Sequence, residues 1–523
     1  MRAFFAFFQN SLLEKERLAM LDIGYIREHA EEIRAAARHK GVAFDTDALL
    51  VCDGRRRLLL GETERLRAQR NRLTREAEAL LRGGRGRKDG GGKPEDDGQA
   101  AVNSKTAEPA IAEAGNAEAP TPAAAPGTAA AVPQGRTAPE ATEMPGVQAA
   151  ERPAGIAGAD AAEAIKARVR ALGGELVTRE RELAETEAEY RRLMLRAPNP
   201  PSADTPVGAS DADNMLVKTA GLLPVFGFKP LDHVELGERL GLLDPARGVK
   251  AGGPRSYVLK GAGLRLHHAV QRLALDVLEA RGFTALEVPV IVRPEALERT
   301  GFWPGGEDQV YALTGENRML AGTSEVSLVS LYSDEIVDVS EPIRLAGSSP
   351  CFRSEIGSAG RDARGLYRVH QFAKIEQVVL CENDPAVSEA MLQDILENAE
   401  HILRLLELPY RVMAVCTGDM SLKTHKQYDI ETWMPGRDAY GETHSASNLL
   451  DFQARRSNIR YRDSEGRLRF CHTLNNTAVA TPRILIPLLE NHQREDGSVR
   501  IPEALRPYMN GLEELRAPGR EEA

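Results

Sequence analysis

The sequence predicts an α+β protein, in which an antiparallel helical arm precedes a domain built on a mostly antiparallel β-sheet flanked by helices. Two observations predict the arm. Leu59, Leu66, Leu73 and Leu80 fall seven residues apart, and the same three-four alternation resumes downstream at Ile165, Val169, Leu172, Leu176, Leu183, Tyr190 and Leu193. A third predicts the sheet: from about residue 254 onward, short alternating segments bounded by Gly, Pro and Asp outnumber helical ones. At 523 residues the chain exceeds one ordinary core, and about 150 residues per domain suggests two or three.

In chain order, residues 1–19 read as an N-terminal extension. Their apolar patch is too short and too quickly followed by Glu14, Lys15, Glu16 and Arg17 for a secretory signal, and Met20 looks like a natural beginning. Residues 20–197 form the arm, with a short helical region over 22–40 and long helices expected over about 53–82 and 160–196. Thr63, Arg70 and Ala77 occupy the second seam position of the first helix. Arginines at 55, 56, 57, 65, 67, 70, 72, 75, 82, 85 and 87 make its exposed side basic, as a surface meeting phosphates would be, although ordinary solvated coiled coils carry such charges too. Between the helices, about 83–158, the chain turns to Gly, Ala, Pro and Glu with almost no large apolar residue, so no core offsets the entropy of ordering it.

Pro198 closes the arm, since proline cannot continue a helix. Residues 198–253 read as a connector with helical pieces near 231–240, residues 254–515 as the sheet domain and 516–523 as a tail. Within the domain, 256–259 reads as a strand and 264–280 as an amphipathic helix. The strand over 283–292 contains Pro289 and so belongs at an edge or an interface. Further strands are expected at 410–415, 428–433, 442–448 and 474–477, with a last helix from Pro482 to about residue 490.

Residues 349–377 carry the densest chemistry. An apolar segment ending in Phe352-Arg353 meets a Gly- and charge-rich loop, and a segment alternating Tyr367, Val369, Gln371, Ala373 and Ile375 returns from it, the pattern of a β-hairpin. The candidate charges are Arg353, Glu355, Arg361, Arg364 and Arg368, set against Glu376; the arginines suit phosphate or carboxylate oxygens, because the guanidinium fork bonds two at once. On charge alone the pattern equally fits a solvated hairpin with surface ion pairs.

The net charge of −10 argues against a wholly basic nucleic-acid coat but not against a local basic surface. Five scattered cysteines without a C-x-x-C pair fit a reducing cytoplasm and give no metal-ligand spacing. No apolar run approaches the roughly 20 residues that cross a bilayer.

Taken together, Phe352-Arg353-Ser354-Glu355, the loop to Gly365, and Arg368-Val-His-Gln-Phe372 through Glu376 resemble motif 2 of the class II aminoacyl-tRNA synthetases, in the wording of the bacterial seryl branch. Gly322-Thr-Ser-Glu325, Tyr428 through Gly436, and Ser445-Ala-Ser-Asn448 leading to Asp451-Phe-Gln-Ala-Arg-Arg456 agree with it. The strand ending at Pro289 resembles motif 1, and 475–483 with its following helix resembles motif 3. Motif 3 departs from the family in having Asn476, Ala478 and Pro482 where glycines are usual and Thr477 where serine is frequent.

The resemblance implies a class II catalytic domain at 254–515 and a tRNA-binding arm before it. It also implies a two-step reaction: ATP and L-serine give seryl-adenylate and pyrophosphate, and the seryl group then passes to the 3′ end of tRNA(Ser), with tRNA(Sec) as a further candidate. By position, it makes Arg353, Glu355 and Arg483 the catalytic residues. ATP would be bound by Arg353, Ser354, Glu355, Val369, Glu442, Thr443, His444, Ser445 and Arg483, with Mg²⁺ held by Glu442 and Ser445. Serine would be bound by Thr323, Ser324, Glu325, Arg353, Glu376 and Thr477. It further implies a homodimer in the cytoplasm, with no membrane partner. Arg361 and Arg364 would meet the acceptor end of tRNA, and His370 is structural because the chemistry needs no protein base. The alternative is a paralogue that activates an amino acid for a carrier protein or another non-tRNA acceptor.

Overall fold

The computed structural model describes residues 21–85, 154–356 and 364–517. The chain divides into two compact units, one of Met1–Leu58 with Leu183–Ala523 and one of Leu59–Glu182.

The described residues of the smaller unit are the C-terminal part of one long helix and the N-terminal part of another. Short helices α1 (Ile23–Glu28) and α2 (Ala30–His39) lead to α3 (Thr46–Arg85), and α4 spans Ala154–Met194. Among the described residues of Leu59–Glu182, Leu59, Thr63 and Ala77 of α3 and Leu172 and Leu176 of α4 are buried on the expected seam and Ala162 is buried beside them, whereas Leu80, expected on the seam, is exposed. Thr63 Oγ1 donates to the Leu59 carbonyl at 2.7 Å, so the polar seam residue is satisfied within its own helix. Ion pairs Arg67–Glu180 (2.8 Å) and Arg179–Glu62 (3.4 Å) join the two helices. The first helix starts at Thr46 rather than near Asp53. Asp45 accepts the Ala48 amide at 2.9 Å as a cap, while Asp53 is buried against Arg27 and Arg57. The helices extend to Arg85 and from Ala154, into the low-complexity stretch; the rest of that stretch, 86–153, lies outside the described residues.

The larger unit is organised by an eight-stranded sheet. Its strands are β1 (Met215–Ala220), β2 (Thr284–Glu287), β3 (Ile343–Phe352), β4 (Gln371–Cys381), β5 (Tyr410–Ala414), β6 (Lys426–Met434), β7 (Ala439–Asn448) and β8 (His472–Thr481). They lie in the order β1-β5-β6-β7-β8-β4-β3-β2. All pairs are antiparallel except β2 with β3. The proline-bearing segment thus ends at the sheet edge, where Pro289 interrupts no ladder.

The helices that accompany these strands are α5 (His233–Arg239), α6 (Pro245–Gly252), α7 (Ala262–Ala280), α8 (Pro294–Arg299), α9 (Glu325–Ser330), α10 (Pro385–Leu405), α11 (Phe452–Ser457) and, after β8, α12 (Leu485–Asn491). One face of the sheet is covered by α7 and α10. Leu266, Val270, Leu273 and Leu278 from α7 and Leu392, Ile395, Ala399 and Ile402 from α10 pack with Ala346, Ile375, Val379, Ile430, Ala446 and Leu474. Burying each large aliphatic contributes about 1.5–3 kcal/mol, enough to fix which residues of each strand face the helices. The opposite face carries a second apolar cluster, in which Leu345, Val378 and Leu380 pack with Leu328, Val329 and Ile459, and beside it the polar side chains that line a cavity.

Three expectations need correction. The connector is not outside the domain, because β1 from its middle pairs with β5 as the terminal strand. Residues 256–259 form only an isolated bridge, Leu259 with Leu243, because they meet a loop rather than a strand. The returning hairpin strand begins at Gln371, not Leu366. Leu366 is buried and its amide donates to His233 Nε2 at 3.2 Å, which draws 366–370 away from β3.

Candidate active site

Strand alternation fixes the site. On β4 the two-residue period aims Phe372, Lys374 and Glu376 away from the helices, and on β7 it does the same for Thr443, Ser445 and Ser447. These six line a cavity of about 240 Å³ together with Thr323, Glu325, Arg353, Glu355, Val369, Lys423, Glu442, Asn475, Thr477 and Arg483. Two register shifts tune the lining. One between Glu442 and His444 on β7 lets Glu442 join the cavity; one between Thr477 and Val479 on β8 puts Ala480, not Val479, on the cavity face.

One end of the cavity holds buried opposite charges. Lys374 Nζ lies 2.5 Å from Glu376 Oε2, and Thr477 Oγ1 donates to the same oxygen at 3.5 Å. Lys423 Nζ lies 2.6 Å from Glu325 Oε1, which also accepts from Gln453 Nε2 at 2.7 Å, and the ammonium sits 3.9 Å from the centre of the Phe302 ring. Burial pushes the Glu376 carboxyl up, with Lys374 opposing, and pulls the Lys423 ammonium down, with Glu325 opposing. This end can receive a small zwitterion with a hydroxyl.

The other end is cationic and more open. Arg483 donates to the carbonyls of Tyr367 (3.0 Å) and Glu442 (3.2 Å), stacks over the Tyr367 ring at 4.5 Å, and has the Glu442 carboxylate 3.9 Å away. Glu355 has a left-handed backbone, φ 52°, and is held by Arg368 at 3.1 Å. Such strain in a non-glycine residue persists where its surroundings over-determine it. Arg353 lines the same cavity, close enough for its charge to act on Glu376; its Nε donates to the Gly322 carbonyl at 3.3 Å and its guanidinium lies 5.3 Å from the Phe372 ring centre.

Asp429 pairs with Ser445 across β6 and β7, and its pKa is raised well above the usual carboxylate range by burial and then by the charge of Glu442. Two repelling carboxylates beside the Ser445 hydroxyl fit a hard cation with oxygen ligands. Among the described residues, no three His, Cys, Asp or Glu side chains gather as a resident metal centre.

The structure brings together Thr323, Glu325, Arg353, Glu355, Val369, Glu376, Glu442, Thr443, Ser445, Thr477 and Arg483. Three expected residues lie elsewhere. His444 points to the opposite face of β7, where its Nε2 meets the carbonyl of the bulged Ala478 at 3.1 Å and its Nδ1 meets Thr443 Oγ1 at 2.8 Å. Ser324 is buried with its hydroxyl donating to the Gly347 carbonyl at 3.3 Å. Ser354 is turned to the 307–309 segment, its amide donating to the Gln309 carbonyl at 3.0 Å and its hydroxyl to that of Asp308. His370 bonds the Arg353 carbonyl at 3.0 Å through Nδ1, outside the cavity, in keeping with a structural role. Arg364 pairs with Asp232 at 2.6 Å, whereas Arg361 lies outside the described residues.

Sequence reasoning missed Lys374, Lys423, Phe302, Asp429 and Ser447. Lys374 and Ser447 were legible by the two-residue period from Glu376 and Ser445. Lys423 comes from a loop and carried no local signal.

Two family models match the chain. The tRNA synthetase class II core domain (G, H, P, S and T) covers residues 311–492, and the Seryl-tRNA synthetase N-terminal domain covers 20–108. A serine–tRNA ligase of Deinococcus radiodurans is 50% identical over 350 residues, 67% of this chain and 82% of that protein. A serine–tRNA ligase of Rubrobacter xylanophilus is 39% identical over 492 residues, 94% and 98% of the two chains. Among solved structures, the crystal structure of seryl-tRNA synthetase from Pyrococcus horikoshii complexed with ATP matches with a TM-score of 0.74 and 32% identity, over 96% of this chain and 100% of that one.

Proposed function

The chain belongs to the seryl-tRNA synthetase family, and from that membership we infer that its cavity condenses ATP with L-serine to seryl-adenylate and then charges tRNA. The observation that carries the residue roles is that one cavity is lined by Arg353, by the buried Glu376–Lys374 and Glu325–Lys423 pairs and by Arg483.

Serine occupies the paired-charge end. Its ammonium and hydroxyl are met by Thr323, Glu325, Glu376 and Thr477, and its carboxylate faces Arg353. A site that buries polar partners for the hydroxyl rejects alanine by leaving them unpaired, a discrimination worth orders of magnitude. ATP occupies the open end, with Glu355 and Val369 toward the base, Arg353 on the α-phosphate and Arg483 on the far phosphate. One serine carboxylate oxygen attacks the α-phosphorus in line. The new oxygen–phosphorus bond forms as the bond to pyrophosphate breaks, and Arg353 neutralises charge on both reactants. No protein nucleophile is required. Glu442, Ser445 and Asp429 would hold Mg²⁺ arriving with ATP, which supplies further charge stabilisation to the phosphates. In the second step the terminal adenosine hydroxyl of tRNA attacks the seryl carbonyl and AMP leaves.

The basic helix of Leu59–Glu182 is assigned to tRNA(Ser), with tRNA(Sec) a candidate to be tested by charging assays. A homodimer is proposed from the motif 1 resemblance and is tested by light scattering against the 57.0 kDa chain mass. No described helix is long and apolar enough to cross a membrane, and a cytoplasmic site of action is proposed. Nothing favours the carrier-protein alternative. Serine-dependent exchange of pyrophosphate into ATP, followed by charging of serine tRNA, tests both steps.

A further inference from the structure

Residues 421–426, joining the Met420 region to β6, carry part of the cavity wall. Ser421, Lys423 and Thr424 line it, and Lys423 supplies the ammonium paired with Glu325. The loop is a tight turn, with the Thr424 amide donating to the Ser421 carbonyl at 3.2 Å and the two hydroxyls 2.8 Å apart. Its outward carbonyls are gathered by two residues that the reaction does not use.

The first is Lys40, which caps α2 just before α3. Its side chain is buried, and Nζ donates to the carbonyls of Ser421 (3.2 Å), Leu422 (3.4 Å) and Thr424. A lysine buried this deeply is uncommon unless it is paired. Burial pulls the Lys40 pKa down to about 7. The second is Asn199, just after α4. Its amide donates to the Leu422 carbonyl at 2.9 Å, and its Nδ2 donates to the carbonyls of Lys423 (3.0 Å) and Leu449 (2.9 Å). Nearby, His425 Nδ1 meets the Pro200 carbonyl at 2.7 Å.

We propose that Lys40 and Asn199 are positioning residues for the amino-acid end of the cavity: they hold the 421–426 turn so that Lys423 meets Glu325. The two residues flank the long helices in sequence, one before α3 and one after α4, and converge on one turn. None of their bonds reaches the residues assigned to ATP, so their loss falls on the amino acid and spares the nucleotide. The assignment to serine rests on the function proposed above; the hold on the turn does not.

The test uses the full chain with Lys40→Met, its conservative partner Lys40→Arg, and Asn199→Ala as an independent approach to the same turn. Amide hydrogen exchange reports the hold, and serine-dependent exchange kinetics report the consequence. The expected result is faster amide exchange confined to 421–427, a rise of about tenfold in KM for serine with KM for ATP within twofold, and substantial rescue by Lys40→Arg. Unchanged protection of 421–427 overturns the proposal. So does a loosened turn with an unchanged KM for serine, or a parallel rise in both KM values. If the unaltered protein shows no serine-dependent exchange, the functional reading fails, while amide exchange still decides whether Lys40 and Asn199 hold the turn.

Discussion

Replacing Glu376 by Gln removes one charge from the buried end of the cavity while keeping the shape. Glu376 is 3% exposed and Lys374 is 7% exposed, with 2.5 Å between their charged atoms. Neutralising one partner of a buried pair leaves the other uncompensated and costs about 3–5 kcal/mol, which falls mainly on folding stability. A separate loss falls on the substrate, because a hydrogen bond to a charged group is worth about 1.5–3 kcal/mol. At about 1.4 kcal/mol per tenfold, kcat/KM for serine should fall roughly 10- to 150-fold. KM for ATP should stay within about threefold, since the residues assigned to ATP are untouched. Pyrophosphate exchange with each substrate titrated in turn, alongside a denaturant melt, separates the two effects. A variant that melts earlier yet keeps its serine KM within twofold would refute the placement of serine against Glu376.

Further expectations follow from the same geometry. Arg353→Ala should abolish adenylate formation with the fold retained, and near-normal exchange in a protein of unchanged circular dichroism would remove Arg353 from the mechanism. Arg483→Ala should raise KM for ATP about tenfold or more and leave KM for serine nearly unchanged; the reverse split would relocate the nucleotide. Replacing Leu59–Glu182 by a short linker should spare serine activation and destroy charging, and persistent charging would show that tRNA is read elsewhere. His444 is fully buried beside the Ala478 carbonyl, and burial pulls its pKa from 6.5 down to about 4. Between pH 4 and 6.5 the folded state binds fewer protons than the unfolded one, so stability rises with pH across that window and is lost on acidification, by up to about 3 kcal/mol from this residue. Denaturant melts at several pH values should show a shallower slope for His444→Gln, and an identical slope in both proteins would contradict the assignment.

Much of the fold was legible because its signals are local. The seam of Leu59, Thr63 and Ala77 follows from sequence spacing, and the hairpin from alternation around a charged turn. The start of α3 was misplaced because the seam pattern marks only the part of the helix that pairs with α4, whereas the helix begins at Thr46, and Asp53 lies buried within it against Arg57 and against Arg27 of α1. Strand β1 was hidden because its residues are mostly exposed, so no buried periodicity marks it. At the site, Arg353, Glu376 and Arg483 were found by resemblance, while His444 was included only because it sits within a run whose neighbours face the cavity. The alternation of a strand excludes it, and its partner Ala478 exists as a partner only because of a bulge. Lys423 was invisible because its position is set by Lys40 and Asn199, hundreds of residues away in the chain.

The most direct test of the central claim is amino-acid-dependent exchange of pyrophosphate into ATP by the full chain, run with serine, alanine, threonine and the remaining amino acids. The hydroxyl partners at half-buried Thr477 and buried Glu376 predict exchange with serine that exceeds alanine by orders of magnitude. Absence of exchange with serine, or equal rates with serine and alanine, would contradict the account.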